Sequence, residues 1–164
     1  MSARAIIDSL EFALNGRELR GDIAVESLDR LADELSERSG RVSFLLQGGA
    51  DQRGRPQLHL QLDGTVVLQC QRCLGRLEFP VELDTQLLLL DEKASAAEVE
   101  VEDLDAVPVN PELDVWSLVE DEVILALPIA PRHPEGVCEA TGRLKDDAAS
   151  PFAVLSGLKD KQLN

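Results

Sequence analysis

Aromatic residues are scarce. The chain has no tyrosine, one tryptophan and four phenylalanines in 164 residues, so aromatics make up 3%. Proteins that hold single-stranded nucleic acid stack its bases on aromatic rings, and there is little material here for such a platform. Positive charge is also short: 16 lysines and arginines face 31 acidic residues, a formal net charge of −15. Affinity for nucleic acid rests largely on neutralising phosphates, so the global field favours a basic protein partner over RNA. Long apolar runs are missing as well. A run such as Leu87 to Leu90 is far below the roughly 20 residues of a membrane span, and no membrane contact is expected. The first residues, MSARAIIDSLEFAL, lack the apolar stretch of a secretory signal. Three cysteines without such a signal point to the reducing cytoplasm, not to a disulfide framework. Catalytic inventory is thin. With two histidines and no G-x-S-x-G, H-E-x-x-H or P-loop pattern, no enzyme is expected.

What is present is organised around Thr65 to Leu83, TVVLQCQRCLGRLEFPVEL. Val66 and Leu68 lead to Cys70 at period two, and Leu77, Phe79, Val81 and Leu83 alternate with Glu78, Pro80 and Glu82. Alternation of this kind predicts half-buried strands, with Cys70-Gln71-Arg72-Cys73 at the tip of a hairpin. Upstream, Leu10, Phe12 and Leu14 alternate, Asn15-Gly16 supplies a turn, and Leu19, Ile23 and Val25 alternate again. That pattern predicts a first hairpin. Ser27 can cap a helix carrying Leu28, Leu31, Ala32 and Leu35 on one face, with Gly40 at its end. Strands resume at Val42, Phe44 and Leu46, and again at Leu58, Leu60 and Leu62. Gly64 reads as a bend or bulge, and His59 as a solvated strand histidine. Gln86 to Leu90 reads as a last strand, buried on both faces.

A second helix is capped by Asp114 and stopped by Pro128. At 100° per residue, Val115, Leu118, Val119, Val123, Leu125 and Ala126 fill its apolar arc, with Glu122 inside it and Ile124 opposite. The expected fold is α+β: an antiparallel, barrel-like sheet of six to seven strands with two packed helices. One domain should span residues 1–144, with an acidic flexible loop at 91–110. A flexible tail, 145–164, follows and carries Phe152, Val154 and Leu155 as a docking segment.

Cys70-x2-Cys73 and His133-x4-Cys138 together make a Cys₃His set with the number and softness of ligands that suit zinc. The competing reading makes Cys70 and Cys138 small buried hydrophobes and His133 a loop residue. Arg72, between the two cysteines, and Glu122, inside the apolar arc, are each odd alone. A fork-to-carboxylate pair between them would explain both, whereas an outward Arg72 would be a residue for binding a partner.

LQCQRCL, VEDEVILALPIAPRH with its following cysteine, and the terminal PFAVLSGLK resemble the YceD family. The matching positions are Cys70 to Leu74, then Glu120, Asp121, Glu122, Leu125, Leu127, Pro128, His133 and Cys138. Pro151, Phe152, Ala153 and Leu155 follow in the same order. The resemblance implies a role in accumulation of large-subunit ribosomal RNA, and a metal origin for the cysteine corner. The expected function is a non-catalytic factor for ribosome biogenesis that works through a basic ribosomal or assembly protein. The alternative is a zinc module that binds RNA directly.

Overall fold

Alternating apolar residues from Leu58 to Cys70 and from Leu77 to Leu89 build two long strands, where the sequence pattern suggested four shorter ones. The computed structural model describes residues 4–91 and 105–138. In chain order these form β1 (Ile6–Ile7), α1 (Ser9–Leu14), β2 (Glu18–Ala24), β3 (Arg41–Ala50), β4 (Pro56–Gln69), β5 (Arg76–Leu90), β6 (Asp105–Pro108), β7 (Leu113–Asp114) and α2 (Val115–Ala126). Two 3₁₀ turns, Val25–Ser27 and Asp29–Leu31, lie between β2 and β3.

The architecture is α+β, with an open five-stranded sheet in the order β2-β3-β4-β5-β6. Four strands are antiparallel and β6 runs parallel to β5. The expected barrel does not close among the described residues: β2 and β6 remain opposite edges, and β1 with β7 forms a separate two-stranded ladder. Helices and turns cover one sheet face, so its apolar side is buried without closure. That face carries Ile23, Val42, Leu46, Leu58, Leu60, Val66 and Leu87, all at most 1% exposed. Phe12 and Ala13 of α1, Leu28 and Leu31 of the turns, and Val115, Val119 and Val123 of α2 pack over it. The opposite face is wet. There His59 Nε2 pairs with Asp84 Oδ1 at 2.6 Å, which makes His59 a half-buried, partnered residue.

Several local expectations need correction. Leu10 to Leu14 is the helix α1, not a strand. Asp8 accepts from the Glu11 N–H at 2.9 Å as N-cap, and Ser9, Phe12 and Ala13 are buried at helical spacing. Asn15-Gly16 closes this helix, with Gly16 at φ 56°, instead of turning a hairpin.

The helix expected over Ser27–Gly40 is replaced by the 3₁₀ turns and an extended segment. Beyond Gly64 the edge of β4 is no longer paired to β3. The 36–37 segment covers it: the Ser36 N–H donates to the Val67 carbonyl at 2.9 Å and Ser36 Oγ to the Leu68 carbonyl at 3.0 Å. Satisfying those strand carbonyls outweighs the local helical pattern.

Gly64 is not a bulge; it pairs in register with Val42 and Val81. Its role is close approach, since a Cβ there would sit 2.6 Å from the Arg41 carbonyl oxygen. Finally, Asp105–Pro108, inside the stretch read as an acidic loop, forms β6. Residues 92–104 of that stretch lie outside the described residues, as do 139–164 with Phe152, Val154 and Leu155.

Asp114 caps α2 as expected, accepting from the Trp116 N–H at 3.0 Å, and the helix ends at Ala126 before Pro128. Its buried face is rotated from the expected arc. Ile124 packs against the core, whereas Leu125 is 78% exposed. The buried carboxylate is Glu120, not Glu122. Glu120 Oε1 accepts from the Arg30 N–H at 2.6 Å and the Leu31 N–H at 3.3 Å. With two free amides of a 3₁₀ turn to satisfy it, the carboxylate can sit within the helix–sheet interface.

Candidate metal centre

The β4–β5 hairpin turns through Cys70–Gly75, and this turn is built to present sulfur. The Cys70 N–H donates to the Gly75 carbonyl at 2.9 Å, and the Leu74 N–H to the Cys70 carbonyl at 2.8 Å. Leu74 adopts φ 59°, a region uncommon for a branched aliphatic residue, to close the turn. A Cβ on Gly75 would stand 3.3 Å from Cys73 Sγ and 3.9 Å from His133 Cε1. Glycine there leaves the space that the sulfur and imidazole occupy. The pattern is thus Cys-x-x-Cys-x-Gly, and Gly75 is a site residue that the cysteine spacing alone did not reveal.

The second pair arrives on the segment after α2. Pro128, Pro131 and Pro134 stiffen that segment, and the Gln71 N–H donates to the Pro131 carbonyl at 2.9 Å, seaming it to the tip. The result brings all four expected ligands together. Cys70 Sγ, Cys73 Sγ, Cys138 Sγ and a His133 ring nitrogen lie within 4.8 Å of one another. Cys70 Sγ is 3.6 Å from Cys138 Sγ; His133 Nδ1 is 3.4 Å from Cys73 Sγ and 3.6 Å from Cys138 Sγ. A tetrahedral zinc with the usual bond lengths places sulfurs about 3.8 Å apart and sulfur and nitrogen about 3.5 Å apart. The cluster is within a few tenths of an ångström of those edges wherever two ligand atoms touch. The cysteines are free thiols.

The surroundings suit such a centre. His133 Nε2 is 2.9 Å from the Arg76 carbonyl, which can only accept. That nitrogen therefore carries a proton, which leaves Nδ1, on the side of the sulfurs, as the nitrogen a metal would use. Burial pushes the Cys70 thiol up, but the amides of Cys73, His133 and Arg72 outweigh it and bring it down to about 5. The Arg72 guanidinium beside the Cys138 sulfur is the leading cause holding Cys138 below the usual thiol range. For Cys73 the Gly75 amide favours the thiolate, yet burial and the sulfurs of Cys70 and Cys138 push it up. Three thiolates this close repel one another, and a dication would remove the conflict.

The expected Arg72–Glu122 pair does not form. Arg72 lies beside the cysteine cluster, while Glu122 lies near Asp105 and Asp121. Rotation of the helix face accounts for this, since Glu120 takes the buried place assigned to Glu122.

A family model described as Large ribosomal RNA subunit accumulation protein YceD matches residues 58–159, which is more than half of the chain. The chain belongs to the YceD family. The family match spans β4, β5, α2 and all four candidate ligands. A relative from Haemophilus influenzae, named Large ribosomal RNA subunit accumulation protein YceD, is 29% identical over 175 residues. That alignment covers 94% of this chain and 95% of the relative. No solved structure matches. Among the described residues no helix is long and apolar enough to cross a membrane.

Proposed function

We propose that this chain supports accumulation of large-subunit ribosomal RNA as a non-catalytic assembly factor in the cytoplasm, engaging a basic ribosomal or assembly protein. We propose further that its Cys₃His corner holds one structural zinc ion. The observation that carries the reading is the near-complete overlap with the Haemophilus influenzae protein of that name, running through the ligand cluster. Four protein ligands leave no open position for substrate, so the ion's chemistry is cross-linking and charge neutralisation, not activation of water. Cys70 and Cys73 would hold it from the hairpin, His133 and Cys138 from the post-helix segment. A net charge of −15 with 3% aromatics supports a protein partner over bare RNA.

Direct RNA binding by the zinc corner has one observation in its favour, the exposed Arg72 at the hairpin tip. That guanidinium also balances the negative charge of the Cys138 sulfur beside it, which weakens the case. The test is genetic. Cells lacking the chain should show a lowered ratio of large-subunit to small-subunit ribosomal RNA, restored by the parent chain and poorly by Cys73→Ser. An unchanged ratio in the deletion strain would end the assembly reading.

A further inference from the structure

The C-terminal half of α2 presents apolar side chains that the fold leaves uncovered. Leu125 is 78% exposed and Ile129, just past the helix, fully so. Ile124 lies between two grooves. One, of about 540 Å³, runs between Leu35 and Leu68 on one side and Leu127, Pro128 and Pro131 on the other. Its wall is fixed, because the Gln71 amide holds the Pro131 carbonyl. The second, of about 340 Å³, is bounded by Leu118, Leu125 and Val107.

Charge around these grooves is mostly negative. Asp33 and Glu34 line the first; Asp105, Asp121 and Glu122 line the second. The cation among these lining residues is Arg30, and it is bound to Asp121. Burial first, then Asp105 and Asp121, push the Glu122 carboxyl up, as expected where negative charge is uncompensated.

We infer that this ridge and its two grooves dock a cationic amphipathic protein segment. Apolar side chains of the segment would enter the grooves beside Ile124, and lysines or arginines would meet Asp33, Glu34, Asp105 and Glu122. The inference rests on the basic-partner reading above and assigns it a surface. Nucleic acid does not fit, since its phosphates would face those carboxylates. Two occupants from the chain itself are disfavoured by charge. Residues 145–164 carry Lys145, Lys159 and Lys161 against Asp146, Asp147 and Asp160, so they bring no excess of positive charge. A second copy brings −15.

The probe is a labelled synthetic peptide of about five helical turns, with leucines at i, i+3, i+4 and i+7 and arginines on the flanks. Controls are a peptide of the same composition in permuted order and a single-stranded RNA of similar length. Binding to the full chain is read by fluorescence anisotropy, and its location by amide shifts. Binding of the amphipathic peptide should fall about tenfold or more in Leu125→Ser or Ile129→Ser. Asp33→Asn with Glu34→Gln should flatten its salt dependence. Both apolar positions are exposed, so the melting temperature should not move. Equal affinity for the permuted peptide, unaffected by the variants, would overturn the inference, as would preference for RNA. So would a groove that binds peptide only after deletion of 145–164, or self-association abolished by Ile129→Ser. Failure here leaves the ribosomal RNA ratio in cells to judge the assembly reading separately.

Discussion

Replacing Glu120 with alanine should unseat the segment between β2 and β3. The carboxylate is 7% exposed, and Oε1 accepts the Arg30 N–H at 2.6 Å and the Leu31 N–H at 3.3 Å. A hydrogen bond to a charged acceptor contributes about 1.5–3 kcal/mol, and the longer one should add less than about 1 kcal/mol. Truncation also leaves two amides without a partner in a region that water reaches poorly. Glu120→Ala should therefore cost about 2–4 kcal/mol of unfolding free energy. Glu120→Gln keeps an oxygen acceptor at the same reach and should cost only about 0.5–1.5 kcal/mol. Urea unfolding followed by circular dichroism gives both values. Hydrogen exchange should locate the effect, with the Arg30 and Leu31 amides losing protection in the alanine variant while Leu60 and Leu62 keep theirs. An alanine variant within about 0.5 kcal/mol of the parent, or a glutamine variant as damaged as alanine, would refute the argument.

Two further outcomes follow from the site and its flank. Arg72→Met removes the positive charge that balances the Cys138 sulfur. Zinc affinity measured by chelator competition should fall about 10-fold or more, with the fold retained. Glu122 has its carboxyl raised by burial and by Asp105 and Asp121. A raised folded-state value means the ionised form opposes folding above it, and the penalty vanishes once pH falls below the unfolded value. Glu122→Gln should then stabilise the chain at pH 7 by less than about 1 kcal/mol. That gain should disappear below about pH 4, as read from melting curves across pH.

Local periodicity made the strand segments, the cysteine hairpin and the extent of α2 legible, though β4 and β5 were each read as two shorter runs. Alternation at Leu58–Leu62 and Leu77–Leu83 depends on the two faces of one strand, and Asp114 and Pro128 act on the turns beside them. What stayed hidden depended on contacts distant in sequence. Leu10, Phe12 and Leu14 alternate, but Ser9, Phe12 and Ala13 also fit a helix, and only packing against β3 and β4 decides. The segment after Ser27 is shaped by Glu120 and by the open edge of β4, which lie about 90 and 31 residues away along the chain. Cys-x-x-Cys could be read directly. That His133 and Cys138 reach it depends on the Gln71–Pro131 seam and on the space left by Gly75. Arg72 was expected to pair with Glu122, and the rotated face of α2 puts Glu120 in the buried place instead.

The metal centre can be tested most directly by counting metal and identifying its neighbours in protein purified without chelator. Elemental analysis with X-ray absorption at the zinc edge should find one zinc per chain, with three sulfurs at about 2.3 Å and one nitrogen at about 2.0 Å. A folded chain that holds no metal, and takes up none when zinc is supplied under reducing conditions, would contradict the account.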